Sequence, residues 1–221
     1  MLAKFFSYFI PINIFTKKSS ISKSLEVSWN NGELVLDSKN TNYSYGSLQR
    51  ILRKGLKYIG YERIRNFESV LVLGVAGGSV IRTLVNEIKY KGKITGVELD
   101  AEVMEIANTY FKLNQVANLE MVMDDAFEFV LKTKSKYDLI IIDIFQDTIM
   151  PNFLFEDFFI NRMHFILNFE GFILFNTMVI NEKDRVRNLE YKKKFNDNYS
   201  LRMYPKVEEH NELFTIKKLI R

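Results

Sequence analysis

The chain has 221 residues, of which 47% are hydrophobic and 26% are charged, a balance typical of globular proteins and not of disordered chains. It contains no cysteine, which excludes disulfide bonds, cysteine nucleophiles and zinc sites with cysteine ligands. Two histidines are too few for a histidine-rich metal site, so we expect no metal. The net charge of +4 is too small an excess to predict a nucleic-acid partner.

The amino-terminal part of the chain is apolar between residues 5 and 15. This stretch is shorter than the roughly 20 residues that span a bilayer, and no signal-peptide cleavage pattern follows it. We therefore expect no membrane span and a cytoplasmic protein. The apolar side chains are expected to pack on the domain or on a second copy, which predicts a homodimer. Association with a membrane surface is the less favoured alternative.

Short strands are expected in residues 1–40. The alternating segment 24–29, the turn at 30–32 and the segment 33–37 together predict a β-hairpin. Apolar residues then recur at helical spacing from 48 to 59, and Gly60 is suited to end that helix. We divide the chain into an N-terminal β-strand and hairpin region, 1–45, and a main domain, 46–221.

From residue 69 onwards the pattern alternates between strand and helix. Near-continuous apolar runs are typical of parallel strands that are covered on both faces, and amphipathic helices separate them. Strands are predicted at 69–73, 94–97, 139–142 and 171–175, helices at 153–167 and 182–195, and a final antiparallel pair near 199–204 and 212–219. This order predicts an α/β fold with a doubly wound, seven-stranded, mostly parallel, Rossmann-like sheet.

A glycine-rich turn, Gly74–Ser79, joins the first of these strands to its helix. Such a turn lets the backbone approach a ligand, and the helix N-terminus offers N–H groups to an anion. Glu98 ends the second strand, where an acid commonly accepts hydrogen bonds from ribose hydroxyls. Asp125 follows the third strand and Asp143 ends the fourth. Because all four features fall at the carboxyl edge of one sheet, we infer a nucleoside site.

Each feature also has a simpler explanation. Glycine turns often only allow close packing, and acids such as Asp100 and Asp124 are suited to cap helices. Other ligand classes fit less well. A P-loop requires Gly-Lys-Ser/Thr where this chain has Gly78–Val80, the serine-hydrolase motif is absent, and the final antiparallel pair fits a dinucleotide oxidoreductase poorly.

Seven segments follow one another at a spacing known from a transferase family: 34–37, 70–74, 78–82, 97–100, 125–129, 137–143 and 154–159. With them, residues 25–178 resemble the spermidine synthase (aminopropyltransferase) family, within the class I S-adenosylmethionine-dependent methyltransferase fold. The resemblance implies that Glu98 holds ribose, Asp125 reaches the adenine amine and Asp143 faces the reacting amine. The implied donor site comprises Gly74, Val75, Ala76, Gly77, Gly78, Glu98, Leu99, Asp125, Ala126 and Asp143.

Three polar positions of the family pattern differ in this chain. The acid of the family's glycine turn falls on Gly77, and a polar pair after the hairpin falls on residues 46–47. The family's Asp-Ser-Ser-Asp becomes Asp143-Ile144-Phe145-Gln146, with an acid one place late at Asp147. A polycationic acceptor needs an acidic site, so these differences favour another acceptor. Tyr43, Tyr45, Phe145 and Asp147 remain candidate substrate residues.

The favoured hypothesis is a methyltransferase-like enzyme that uses S-adenosylmethionine, with an unidentified small-molecule acceptor and Asp143 as the catalytic residue. Gly77 is expected to leave the helix N-terminus free to meet the carboxylate of that donor. One alternative is a divergent aminopropyltransferase that uses decarboxylated S-adenosylmethionine and a polyamine. The other is a non-catalytic nucleoside-binding module.

Overall fold

The structure is a computed structural model that describes residues 2–19, 21, 24–38, 42–145, 149–208 and 210–220, with the backbone alone at 42 and 43. The α-helices are α1 (Leu2–Phe6), α2 (Gly46–Ile59), α3 (Tyr61–Arg65), α4 (Ser79–Arg82), α5 (Ala101–Phe111), α6 (Ala126–Lys132), α7 (Asp157–Ile166) and α8 (Glu182–Lys193). A π-helical segment, Thr83–Ile88, continues α4, and a 3₁₀ turn covers Leu113–Gln115. The strands are β1 (Ile12–Lys17), β2 (Leu25–Asn30), β3 (Glu33–Ser38), β4 (Asn42–Ser44), β5 (Ser69–Leu73), β6 (Lys93–Glu98), β7 (Leu119–Met123), β8 (Tyr137–Ile142), β9 (Leu167–Met178), β10 (Tyr199–Glu208) and β11 (Asn211–Lys218).

The main sheet has seven strands in the order β10-β11-β9-β8-β5-β6-β7. Strands β5 to β9 pair in parallel, and β11 lies antiparallel between β9 and β10. The predicted fold class and the antiparallel final pair are therefore confirmed. The strand order reverses between β5 and β8, where doubly wound sheets bind their ligands beyond the carboxyl ends of the strands.

The core fills both faces of this sheet, as the unbroken apolar runs predict. Successive side chains of β5 point to opposite faces: Val70 and Val72 pack with α2 and α4, whereas Leu71 and Leu73 pack with α7 and α8. Burying β5 on both sides fixes its carboxyl end, from which the glycine turn leaves the sheet.

The N-terminal strands form a separate antiparallel sheet in the order β1-β2-β3-β4. The predicted hairpin is β2–β3. Its apolar side chains pack on α5, so that Leu25, Val27 and Leu36 are buried with Val103 and Ile106. The expectation of strands alone in residues 1–40 is wrong at residues 2–6, which form α1. A five-residue helix is too short to give an apolar periodicity.

The predicted aromatic helix over 153–167 is divided in the structure. A 3₁₀ turn covers Asn152–Phe155, Glu156 is extended with φ −79° and ψ 143°, and α7 begins at Asp157. Aromatic side chains of both pieces pack into the same face of the sheet. The apolar pattern therefore continues through a break in the backbone.

The residues of α1 and the turn after it hold their apolar side chains away from the domain. Phe5, Phe9 and Ile10 are more than half exposed, although Ser7 is buried and accepts a hydrogen bond from the amide of Gly32. The homodimer expected from this segment stays a prediction. No helix in the described ranges is long and apolar enough to cross a bilayer.

Candidate active site

A cleft of about 280 Å³ opens at the carboxyl ends of β5, β6 and β8. Eight of the predicted donor-site and substrate residues line it; seven lie at strand ends or in the loops that follow, and Ala126 begins α6. They are Gly74, Ala76, Glu98, Leu99, Asp125, Ala126, Asp143 and Phe145. The cleft is therefore where the strand-end argument placed the nucleoside site.

Gly74 allows β5 and β8 to end side by side. Its φ is +83°, and a Cβ placed on it would lie 2.2 Å from the backbone oxygen of Asp143. The Gly74 amide also donates to the oxygen of Val97, and the Asp143 amide donates to that of Leu73. Only glycine suits both the left-handed backbone and this contact, so Gly74 sets the distance between the turn and Asp143.

Other residues of the turn face away from the cleft. Val75 is buried in the core, and a Cβ on Gly78 would meet the side chain of Leu113. A Cβ on Gly77 would lie 2.9 Å from the Cβ of Ser44 and 3.3 Å from the ring of Tyr45. Of the predicted donor-site residues, these three do not line the cleft.

The helix N-terminus after the turn is also covered. Ser44 is buried and its hydroxyl accepts the amide proton of Ser79 at 3.2 Å. The Ser79 amide is therefore not free for a carboxylate, contrary to what was expected from Gly77. Ser44, the last residue of β4, thus occupies one amide of this N-terminus, a contact between residues far apart in the sequence.

Glu98 reaches into the cleft and accepts four backbone hydrogen bonds. One carboxylate oxygen accepts the amides of Val75 and Ala76 at 3.1 and 3.0 Å, and the other accepts those of Leu99 and Asp100 at 3.0 and 3.1 Å. Burial raises the pKa of Glu98, and the amides of Ala76, Asp100 and Val75 oppose that rise. Glu98 thus joins the glycine turn to the end of β6.

We expect Glu98→Ala to lower the free energy of unfolding by about 2 kcal/mol, because it leaves amides of the turn without an acceptor. Affinity for methylthioadenosine should fall at least tenfold in the same variant. Urea denaturation and calorimetry measure the two effects. Glu120→Ala, which removes an exposed carboxylate from β7, is the control. If Glu98→Ala bound methylthioadenosine as tightly as the wild type and were equally stable, Glu98 would neither contribute to the nucleoside site nor hold the glycine turn.

Asp125 caps α6, and Asp100 caps α5. The Asp125 side chain accepts the amides of Phe127 and Glu128. The alternative that Asp124 is the cap is wrong by one residue, since the Asp124 carboxylate accepts the amide of Asp125 instead. Asp100 caps as expected and also accepts a hydrogen bond from Ser19.

The cleft is acidic. Its charged lining, within the described ranges, consists of five carboxylates and no Lys, Arg or His: Glu98, Asp100, Asp124, Asp125 and Asp143. This contrasts with the net charge of +4 of the whole chain. Walls of low dielectric strengthen the field of such a cluster, so the cleft attracts cations.

Asp143 directly follows β8 and lines the cleft within this acidic group. Burial raises its pKa from 3.8 to about 6, and a hydrogen bond from Asn176 at 2.9 Å opposes the rise. Asn176 in turn accepts a hydrogen bond from Asn211 at 3.1 Å. The sequence analysis missed both asparagines. Asn176 lies near the carboxyl end of a predicted strand and was detectable by the strand-end rule, whereas nothing in the sequence marks Asn211.

The predicted substrate residues separate into three groups. Phe145 lines the cleft beside Ile144. Tyr45 does not: its ring stacks on Phe111 at 4.8 Å, and burial there raises its pKa to about 12. The Tyr43 side chain and Asp147 lie outside the described residues. The interpretation of Tyr45 as a substrate residue is thus replaced by a packing role.

Comparison with known proteins identifies the family. The family model described as "Spermine/spermidine synthase domain" matches residues 49–216, about three quarters of the chain. The chain belongs to this family. All five cleft carboxylates lie within the residues that match the spermine/spermidine synthase domain.

Individual relatives agree with the family at low identity. A "Probable polyamine aminopropyl transferase" of Bifidobacterium longum (strain NCC 2705) is 29% identical over 117 residues, which are 53% of this chain and 26% of that protein. The chain thus spans about a quarter of the length of this curated relative, and 29% and 46% of two others.

Solved structures share the fold. A spermidine synthase in complex with the transition state analogue AdoDATO has a TM-score of 0.72 at 19% identity, covering 94% of this chain and 73% of its own. Human methyltransferase-like protein 13 in complex with SAH has a TM-score of 0.66 at 20% identity, covering 80% and 83%. Both contain the Rossmann-like methyltransferase fold that the strand order here forms.

Proposed function

We propose that this chain transfers the aminopropyl group of decarboxylated S-adenosylmethionine to an amine. The acidic cleft carries the proposal: five carboxylates and no cationic side chain line it within the described ranges. Both reactants of that transfer are cations. The matching family and the names of the curated relatives support the same reaction, and favour it over the methyltransferase-like function that the sequence analysis preferred.

The two possible donors differ by one carboxylate. S-adenosylmethionine would bring its carboxylate into a cleft of like charge, and Ser44 already occupies the Ser79 amide that was expected to receive it. One pair of like charges 4 Å apart costs roughly 4 kcal/mol at an effective dielectric constant near 20. The decarboxylated donor avoids this repulsion and keeps the sulfonium and ammonium charges that the carboxylates attract.

The nucleoside end of the donor is assigned to Glu98 and Asp125. In the structure the Glu98 carboxylate is filled by four backbone amides, about the number that a carboxylate accepts. Ribose hydroxyls would have to share or replace two of these. Asp125 caps α6 through one oxygen, and we assign its other oxygen to the adenine amine.

Asp143 is assigned to the acceptor amine. The donor supplies a carbon activated by its positive sulfur; the amine nitrogen bonds to that carbon, the carbon–sulfur bond breaks and methylthioadenosine leaves. The protein mainly has to align the two reactants. With a pKa of about 6, the Asp143 carboxylate is ionised at pH 7 and can hold the amine and accept its proton.

Methyl transfer from S-adenosylmethionine is the second candidate. A neighbour of the same fold binds SAH, and a relative from Drosophila melanogaster is named "eEF1A lysine and N-terminal methyltransferase homolog", 31% identical over 80 residues. The apolar Ile144 and Phe145 at the acceptor side also differ from what a polycation requires. The products of the two reactions differ, which makes them separable in one assay.

Turnover by the purified protein tests the proposal. Decarboxylated S-adenosylmethionine is expected to yield methylthioadenosine when diamines or polyamines are added, and S-adenosylmethionine is expected to yield no S-adenosylhomocysteine above background. Mass spectrometry of the acceptor should find the mass of one aminopropyl group added. Methylated acceptor and S-adenosylhomocysteine would instead support the second candidate.

A further inference from the structure

Three side chains that line the cleft form a hydrogen-bonded row that ends at Asp143. Asn211, at the start of β11, donates to the side-chain oxygen of Asn176 at 3.1 Å. The Asn176 amide group then donates to Asp143 at 2.9 Å. Asn176 is fully buried, and all three residues line the cleft. The row connects β11, β9 and the end of β8.

The direction of the row matters because an amide has a donor end and an acceptor end. If the Asn176 amide turned over, its oxygen would face the Asp143 carboxylate and its nitrogen would face the Asn211 nitrogen. Both contacts would be unfavourable in a buried place. The Asp143 carboxylate, which only accepts when ionised, and the Asn211 donor therefore together favour the orientation in which Asn176 donates to Asp143.

We propose that Asn211 is a positioning residue that acts through Asn176 to keep Asp143 ionised and to leave its second oxygen for the acceptor amine. This proposal rests on the proposed function for the role of the amine. The hydrogen-bond row itself stands independently of it. Within the described ranges, Asn176 is the one side chain that donates to the Asp143 carboxylate.

Burial of Asp143 acts in the opposite direction to the Asn176 donor. The titratable groups that share its cleft are Glu98 and Asp100 from β6 and its loop, and Asp124 and Asp125 after β7. β9 and β11 present Asn176, Met178 and Asn211 there. Since burial favours protonation of Asp143, the Asn176 donor is the described group that opposes it, which agrees with the pKa of about 6.

Carboxyl ¹³C NMR of Asp143, assigned by comparison with Asp143→Asn, tests the row without any activity measurement. In Asn176→Leu we expect Asp143 to bind its proton about tenfold more tightly. In Asn211→Leu we expect at least a threefold effect, because Asn176 loses the contact that orients it. Backbone pairing of Asn211 with Met178 leaves the strand register unchanged. Asn66→Leu, which removes an exposed side-chain hydrogen bond elsewhere, should have no effect.

The double variant decides whether Asn211 acts through Asn176. If it does, Asn211→Leu adds nothing to Asn176→Leu; independent roles would give the product of the two effects. Unchanged titration in Asn211→Leu, or additive effects, would overturn the proposal. If Asn176→Leu does not fold, Asn176→Ser replaces it in the cycle.

Turnover separates this proposal from the proposed function. Asn211→Leu should lower kcat several-fold and leave the KM of the donor unchanged, with the acidic limb of the pH profile moved to higher pH. If the wild type shows no aminopropyl transfer and the NMR cycle still shows coupling, the proposed function fails while the positioning role of Asn211 stands.

Discussion

Asp143→Asn is expected to remove aminopropyl transfer almost completely and, at the same time, to stabilise the folded protein at neutral pH. Loss of a positioned proton acceptor typically lowers the rate by about 10²- to 10⁴-fold. The neutral asparagine keeps the acceptor oxygen for Asn176, so the hydrogen bond at that position is retained. The ionised carboxylate of Asp143, which is proposed to be catalytic, is thus expected to lower the free energy of unfolding.

The sign of the stability effect follows from the pKa of Asp143. Burial raises that pKa from 3.8 to about 6, so between these pH values the folded state binds more protons than the unfolded chain. The contribution of Asp143 to the free energy of unfolding of the wild type is therefore fully present below pH 4 and is lost as the pH rises to about 6. Asp143→Asn lacks the dependence and should be about 1–3 kcal/mol more stable above pH 6.

Urea denaturation at pH 4, 5 and 7.5, together with turnover, measures both effects. Asp197→Asn removes an exposed carboxylate and serves as the control for the change of net charge. Turnover equal to that of the wild type would contradict the catalytic role. A stability difference that does not vary with pH would contradict the buried, ionised state of Asp143.

Gly74→Ala is expected to lower the free energy of unfolding by about 3–5 kcal/mol, the largest stability effect of any single substitution proposed for this chain. A residue other than glycine at a φ of +83° is strained by about 1–2 kcal/mol. The added methyl group would also overlap the backbone oxygen of Asp143, 2.2 Å away. β5 and β8 cannot move apart to relieve this overlap without breaking the hydrogen bonds that pair them.

Gly60→Ala offers a matched control. Gly60 also has a positive φ, +107°, but a Cβ there meets nothing within 4 Å, so the variant carries backbone strain without a clash. We expect it to cost about 1–3 kcal/mol. Thermal and urea denaturation should show that Gly74→Ala has a clearly lower free energy of unfolding than Gly60→Ala. Equal losses would mean that the contact with Asp143 does not constrain the turn.

The parts of the fold that were predictable are those in which one residue type repeats along one element. The double burial of β5 was visible as the apolar run at 69–73, and the strand-end acids Glu98, Asp125 and Asp143 were visible because parallel strands end at one edge. These local patterns sufficed to place the cleft.

The incorrect expectations about the glycine turn and Tyr45 concern contacts between distant segments. Gly77 was misassigned because Ser44, at the end of β4, and Tyr45, which follows it, lie against the glycine turn. Tyr45 was misassigned because its ring stacks on Phe111. Asn211 was missed because its effect on Asp143 passes through a second side chain. No spacing rule contains such information, since it depends on how the N-terminal sheet and β11 pack against the parallel strands.

The donor preference of the cleft tests the central claim most directly. Wild-type protein is titrated with decarboxylated S-adenosylmethionine and with S-adenosylmethionine, each competing against bound methylthioadenosine in calorimetry. A cleft lined by five carboxylates, with the Ser79 amide taken by Ser44, should bind the decarboxylated form at least tenfold more tightly. Tighter binding of S-adenosylmethionine would contradict the proposed aminopropyl transfer and favour methyl transfer instead.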